Sequence, residues 1–262
     1  MRKFYRIFTA VALGALALSA CSKNNSQGES ASSAILLRNQ TIQSAYMKEG
    51  MKYTIWLPGG AQPTESYPFL YLLHGAGDDQ NAWTDNGTAY DGSPQGGNAV
   101  SIIREYLAAG GIDMVVVMPD AKLTFYTGEY EDYFHKELIP QLESKYKCNG
   151  KRAVAGLSMG GFGTLYHALK YPEKFTYAYA MSPAVFGDMA EGVSEGKKYP
   201  DFTIEIGSGD QVVNNTDAKR LAQDLKEAGI SCELVERVGG HTWTFWRECL
   251  PKALQKIGNS FK

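Results

Sequence analysis

Gly156-Leu157-Ser158-Met159-Gly160-Gly161 decides how the rest of the chain is read. The apolar run Arg152-Ala153-Val154-Ala155 precedes it, and a helical pattern from Phe162 to Lys170 follows. Strand, tight turn and helix, with a serine at the turn and glycines on both sides, is the arrangement a nucleophile elbow needs. Such a turn strains the serine backbone, so its close neighbours must lack bulky side chains. The hydroxyl then stands above the sheet edge, and the Met159 N–H points at a developing oxyanion. The bland reading of the same residues is a glycine-rich turn with no chemistry.

Working outward, apolar runs alternate with amphipathic helical patterns. The pattern predicts strands at Lys52–Leu57, Phe69–His74, Met114–Pro119, Arg152–Leu157, Tyr177–Met181, Thr203–Gly207 and Cys232–Arg237. Helices are predicted at Asn98–Ala109, Asp132–Lys145, Gly161–Lys170, Thr216–Ala228 and Trp243–Ile257. Met114-Val115-Val116-Val117-Met118 is apolar throughout, which suits a parallel strand covered on both faces. Alternation of this kind predicts an α/β fold with a mostly parallel, doubly wound sheet. Asp85 to Gly97 reads as a long loop. The stretch from Pro183 to Pro200 carries three glycines and few large apolar residues, too little for a large cap domain.

The chain has 262 residues, 44% of them hydrophobic and 21% charged, which fits one large globular domain. Its net charge of −2, with no sustained basic cluster beyond the N-terminus, gives nucleic-acid binding no electrostatic support. Residues 1–20 read as a secretory signal: Arg2, Lys3 and Arg6, then the apolar run Ile7 to Ala20. Leu18-Ser19-Ala20-Cys21 resembles a bacterial lipobox, which implies cleavage before Cys21 and a diacylglycerol on its sulfur. A plain signal peptide cut near Ala20 is the alternative. Residues 21–34 then form a polar tether, and 35–262 the catalytic domain. The expected location is an exported, membrane-anchored protein. Cys148, Cys232 and Cys249 lack metal-ligand spacing and receive no function.

A serine nucleophile needs a base. Four histidines are available. His135 and His167 fall on helical patterns. His74 ends a strand and opens His74-Gly75-Ala76-Gly77, whose form is that of an oxyanion loop in which backbone N–H groups act. His241 lies after the last strand, in Gly239-Gly240-His241-Thr242-Trp243, and is the candidate base. The acid that orients it lies between residues 158 and 241 if the order is Ser, Asp, His. Asp210, in Gly207-Ser208-Gly209-Asp210, stands at the C-terminal end of a strand, where an open α/β sheet places its functional groups. Asp188 and Asp201 border the glycine-rich insert, and Asp217 suits a helix first turn.

With these pieces the chain resembles the esterase D-like α/β-hydrolases, especially microbial feruloyl esterases and acetyl xylan esterases. The matching residues are Leu72-Leu73-His74-Gly75 with Trp83, Val117-Met118-Pro119-Asp120, Tyr130 to Phe134 with Glu137-Leu138-Ile139-Pro140, the Ser158 elbow, Gly207–Asp210, and Gly240-His241-Thr242-Trp243 with Trp246. The resemblance implies Ser158 as nucleophile, His241 as base and Asp210 as acid. It also implies an oxyanion hole from the N–H groups of Met159 and Ala76. No cofactor and no metal is implied. A serine carboxylesterase acting on feruloyl or acetyl groups of plant polysaccharide is the expected function. An acyltransferase or an S-formylglutathione hydrolase-like thioesterase shares the skeleton, and a non-catalytic glycan-binding surface lipoprotein is the reading from another class. Trp83, Tyr90 and Tyr126 are candidate contacts for an aromatic acyl group, against loop packing for Trp83 and a plain surface position for Tyr126.

Overall fold

The computed structural model describes residues 34–60, 65–194 and 196–262. The signal, Cys21 and all of the tether except Ala34 lie outside the described residues. Ten strands are described in chain order: β1 (Ile35–Gln43), β2 (Gly50–Leu57), β3 (Tyr67–Leu73), β4 (Gly87–Thr88), β5 (Pro94–Gln95), β6 (Val115–Pro119), β7 (Cys148–Leu157), β8 (Tyr177–Met181), β9 (Asp201–Gly207) and β10 (Cys232–Arg237). The helices are α1 (Ala99–Ala108), α2 (Glu129–Tyr133), α3 (Ile139–Lys145), α4 (Met159–Lys170), α5 (Asn215–Glu227) and α6 (Trp243–Ser260). One π-helical turn, Phe134–Leu138, joins α2 to α3.

Eight strands form one sheet in the order β1-β2-β6-β3-β7-β8-β9-β10. β1 and β2 are antiparallel to their neighbours, and β6 to β10 run parallel through the centre. Side chains alternate across a strand, so each strand feeds both faces. Phe69, Tyr71 and Leu73 of β3 join Val115 and Val117 on one face, while Leu70, Leu72, Val116 and Met118 fill the other. The first face is closed by Leu165 and Ala168 of α4 and by Ala218, Leu221, Ala222 and Leu225 of α5. Trp246, Cys249, Leu250, Ala253, Leu254 and Ile257 of α6 close the second, at the three- and four-residue spacing of one helical stripe. Between β8 and β9 the described residues hold no helix or strand, and no cap domain is present there. No described helix is long and apolar enough to cross a membrane.

All seven expected strands and five expected helical regions are present. β1 escaped because its alternation breaks at a bulge between Leu37 and Gln40, where Asn39 takes φ 53°. The expected loop at Asp85–Gly97 contains the short β4–β5 hairpin, and the second expected helix, Asp132–Lys145, starts earlier and carries the π turn.

That turn brings His135 Nε2 to 3.0 Å from His167 Nδ1, with the Lys174 ammonium 3.1 Å from His135 Nδ1. Burial, then the neighbouring imidazole and lysines, pushes His135 down to about 2. Burial, with Lys170 and Lys174, pushes His167 down to about 3. Both rings stay neutral in the folded chain, whereas free histidine protonates near about 6.5. The unfolded state therefore binds more protons below about pH 6.5, and stability falls as pH drops. Well below that pH the slope approaches about 1.4 kcal/mol per pH unit for each ring. The thermal midpoint should thus drop between pH 7 and pH 5, before carboxylates titrate. A constant midpoint over that range would show that the pair is not neutral in the fold.

Candidate active site

Parallel strands point their C-terminal ends the same way, so the loops after β3, β7, β9 and β10 share one sheet edge. Ser158 follows β7 with φ 54° and ψ −115°, a strained conformation for any residue with a side chain. Its N–H donates to the Met181 carbonyl at 2.9 Å, and its carbonyl accepts from Phe162 (3.0 Å) and Ala184 (3.1 Å). The flanking glycines are sterically required. A Cβ on Gly156 would lie 2.5 Å from the Gly160 carbonyl oxygen, one on Gly160 2.6 Å from the His74 oxygen, and one on Gly161 2.8 Å from Pro183.

Asp210 and His241 reach the serine from the next loops. His241 Nδ1 lies 2.8 Å from Asp210 Oδ2, and His241 Nε2 lies 2.9 Å from Ser158 Oγ. A carboxylate only accepts, so Nδ1 carries the proton and Nε2 is free to accept from the serine hydroxyl. Asp210 has no exposed side-chain surface, and its Oδ1 accepts from the N–H groups of Val212 (2.9 Å) and Val213 (3.2 Å). The two loops are tied together, with Gly209 N–H donating to the Gly239 carbonyl at 2.8 Å. Asp217 stands elsewhere, in the first turn of α5, bonded to Asn214 (2.6 Å) and paired with Arg220 (3.0 Å).

The loop after β3 abuts the elbow. A Cβ on Gly75 would lie 3.6 Å from Ser158 Cβ and 3.4 Å from Asp78 Oδ2. His74 is buried and structural: Nδ1 donates to the Gly75 carbonyl at 2.7 Å, and Nε2 accepts from Ala121 N–H at 2.9 Å. Tyr126 donates to the His74 carbonyl (3.0 Å) and Trp83 Nε1 to the Leu73 carbonyl (3.0 Å), fastening the loop from two more sides. Ala76 is left exposed above this support. Met159 N–H opens α4 beside it, and a helix N-terminus favours developing negative charge. An oxyanion hole needs two such N–H donors at one edge.

Two of the candidate acyl contacts, Tyr126 and Trp83, are packed inside instead. Tyr126 is fully buried, at φ 60°, with its ring edge-on to Tyr130, and Trp83 is buried edge-on against Trp243. Both spend their polar atom and their rings on holding the loop. Tyr90 is fully exposed on the turn between β4 and β5. Three other rings, Phe125, Phe162 and Phe186, cluster with centroids 5.6 to 5.9 Å apart. Phe162 follows Ser158 by one helical turn and was open to inference from that spacing. Phe125 sits at φ 51°, and Phe186 lies in the glycine-rich insert, 58% exposed. Neither position carries a local sequence signal.

A polar cleft of about 680 Å³ opens between the loop after β3 and the His241 loop. Asp78, Asp79, Asp85, Asn86, Gln95 and Trp243 line it. Among the described residues no group of three His, Cys, Asp or Glu side chains could hold a metal ion. Cys148, Cys232 and Cys249 are all unpaired, and burial pushes the thiols of Cys148 and Cys232 up to about 11, which disfavours the nucleophilic thiolate.

The family described as "Putative esterase" matches residues 44–257. An endo-1,4-beta-xylanase/feruloyl esterase of Xylanibacter ruminicola is 32% identical over 209 residues, which is 74% of this chain and 26% of that protein. The chain therefore spans about a quarter of that relative's length. An acetyl esterase of Caldicellulosiruptor saccharolyticus is 25% identical over 240 residues, covering 73% of this chain and 84% of the relative. The solved structure of a ferulic acid esterase superposes with a TM-score of 0.74 at 23% identity, over 87% of this chain and 99% of the other, a likeness of fold. The match to the esterase family takes in most of the folded residues, and the chain belongs to that family.

Proposed function

We propose that the protein is a serine carboxylesterase that removes feruloyl, other hydroxycinnamoyl or acetyl groups from plant polysaccharide through an acyl-enzyme. The unbroken chain of hydrogen bonds from Asp210 through His241 to Ser158, on a strained elbow, carries this reading. Ser158 Oγ attacks the ester carbonyl carbon as His241 Nε2 takes its proton. The N–H groups of Met159 and Ala76 hold the tetrahedral oxyanion. His241 then passes the proton to the leaving alcohol oxygen, and the ester C–O bond breaks. A water molecule, activated by the same imidazole, attacks the acyl-enzyme and frees the acid and Ser158. Asp210 holds the tautomer and balances the imidazolium.

Three observations bear on the substrate. The relatives named above include a feruloyl esterase and an acetyl esterase. The Phe125–Phe162–Phe186 cluster offers flat rings to a hydroxycinnamoyl group. The cleft lined by Asp78, Asp79, Asp85, Asn86, Gln95 and Trp243 suits a neutral, hydroxyl-rich alcohol, and its carboxylates repel an anionic glutathione thioester. Export and a lipid anchor on Cys21 belong to the same proposal and rest on the sequence of residues 1–21 alone.

The test compares kcat/KM for methyl ferulate, an aryl acetate and an aryl laurate. Offset or edge-on aromatic packing contributes about 0.5–1.5 kcal/mol beyond area burial. Phe186→Ala should therefore lower kcat/KM for methyl ferulate roughly two- to twelvefold and leave the acetate nearly unchanged. A laurate value well above the other two would mean a lipase-like acyl site. Equal losses on ferulate and acetate would remove Phe186 from acyl recognition.

A further inference from the structure

Glu205, inside β9, has no exposed side-chain surface. Burial opposes its charge, but hydrogen bonds from Tyr179, Arg237 and Lys252 outweigh that and hold its carboxyl below the usual carboxylate range. A charge so placed must be paired, and its partners lead to the active-site loops. Arg237 ends β10, in register with Gly207 at the end of β9. Its Nε donates to Glu205 Oε1 at 2.5 Å, Nη1 to Glu248 Oε2 at 2.7 Å and Nη2 to the Phe245 carbonyl at 2.7 Å. The guanidinium also lies 3.7 Å from the centre of the Phe245 ring.

Arg237 and Phe245 stand four residues before and four residues after His241. The arginine side chain is thus a chord across the loop that presents the imidazole. Glu205 fixes one end of the chord to the sheet, and the other end grips the first turn of α6. That loop contains Gly239-Gly240, which leaves its backbone loose by itself. Other contacts join the same frame. Ser208 N–H donates to the Arg237 carbonyl at 2.8 Å, on the way to Asp210. Ser182 N–H donates to the Glu205 carbonyl at 2.7 Å, and Ser182 follows Met181, whose carbonyl accepts from Ser158 N–H.

We infer that Arg237, anchored on Glu205, is a positioning residue that fixes the loop of residues 238–244 and so holds His241 between Asp210 and Ser158. This rests on His241 being the base. A misplacement of about 1 Å in such a site can cost on the order of 10² in rate, so a chord on this loop should be visible in kcat.

Arg237→Lys keeps the charge and can still reach Glu205. A single ammonium cannot reproduce the fork that holds the Phe245 carbonyl and Glu248 as well. The expected result is a fall in kcat on the order of tenfold, KM changed by less than about twofold, and no loss of sites titrated by a fluorophosphonate. Lys252→Met removes another partner of Glu205, 2.9 Å away, without touching the loop. It should lower the thermal midpoint and leave kcat per titrated site unchanged. If Arg237→Lys fails to fold, Glu248→Gln loosens one arm of the fork at an exposed position, with about a twofold fall in kcat expected. Unchanged kcat per titrated site in these two fork variants would overturn the positioning role, as would an equal fall in Lys252→Met. A wild-type protein inert to every ester and to the probe would instead remove the assignment of His241 itself.

Discussion

Ser158→Ala is expected to lower kcat on an aryl acetate by about six orders of magnitude, the scale of loss when a serine hydrolase loses its nucleophile. The fold should survive. Alanine meets no penalty at φ 54° that serine does not already carry, and the Ser158 backbone bonds to Met181, Phe162 and Ala184 do not involve the hydroxyl. The thermal midpoint should therefore stay near that of the wild type. Activity within a hundredfold of wild type would mean that another group attacks the ester.

Asp210→Asn should lower kcat by about 10⁴, because an amide opposite Nδ1 favours the wrong tautomer of the imidazole. Asp210 Oδ1 holds Val212 and Val213, and an asparagine oxygen can keep those two bonds. The loss is thus one of proton placement rather than of loop structure. Asp217→Asn is the control. Its carboxylate serves the N-terminus of α5 through Asn214 and Arg220, so a loss of less than about 1 kcal/mol in stability and little in kcat is expected. Comparable small effects at the two positions would mean that the acid lies elsewhere.

What could be read from the residues alone follows a physical line. Ser158 was legible because a strained turn leaves a local mark: Gly156, Gly160 and Gly161 stand where a Cβ would strike backbone or Pro183. Asp210 and His241 were legible because parallel strands send their C-terminal loops to one edge, and the structure brings both within hydrogen-bond reach of the serine chain. Burial inside loops left no such mark. Tyr126 reads as an exposed loop ring in sequence and Trp83 as a candidate ring contact, yet each donates to a backbone carbonyl, of His74 and of Leu73, and packs inward. Their role depends on partners 52 and 10 residues away, a relation set by tertiary packing. Phe125, Phe162 and Phe186 come together from three separate segments for the same reason. The Glu205–Arg237 pair hides for another: each residue reads as one more charge on an alternating strand until the sheet register joins them.

The central claim is that Ser158 is the residue that becomes acylated. Treatment with a fluorophosphonate followed by peptide mapping by mass spectrometry tests it at the atom concerned. The expected result is one adduct per chain, on the peptide carrying Ser158, and none in a chain with Asp210→Asn and His241→Ala over the same time. An adduct on Ser182 or Ser208, the other serines near these loops, with Ser158 unmodified would contradict the account.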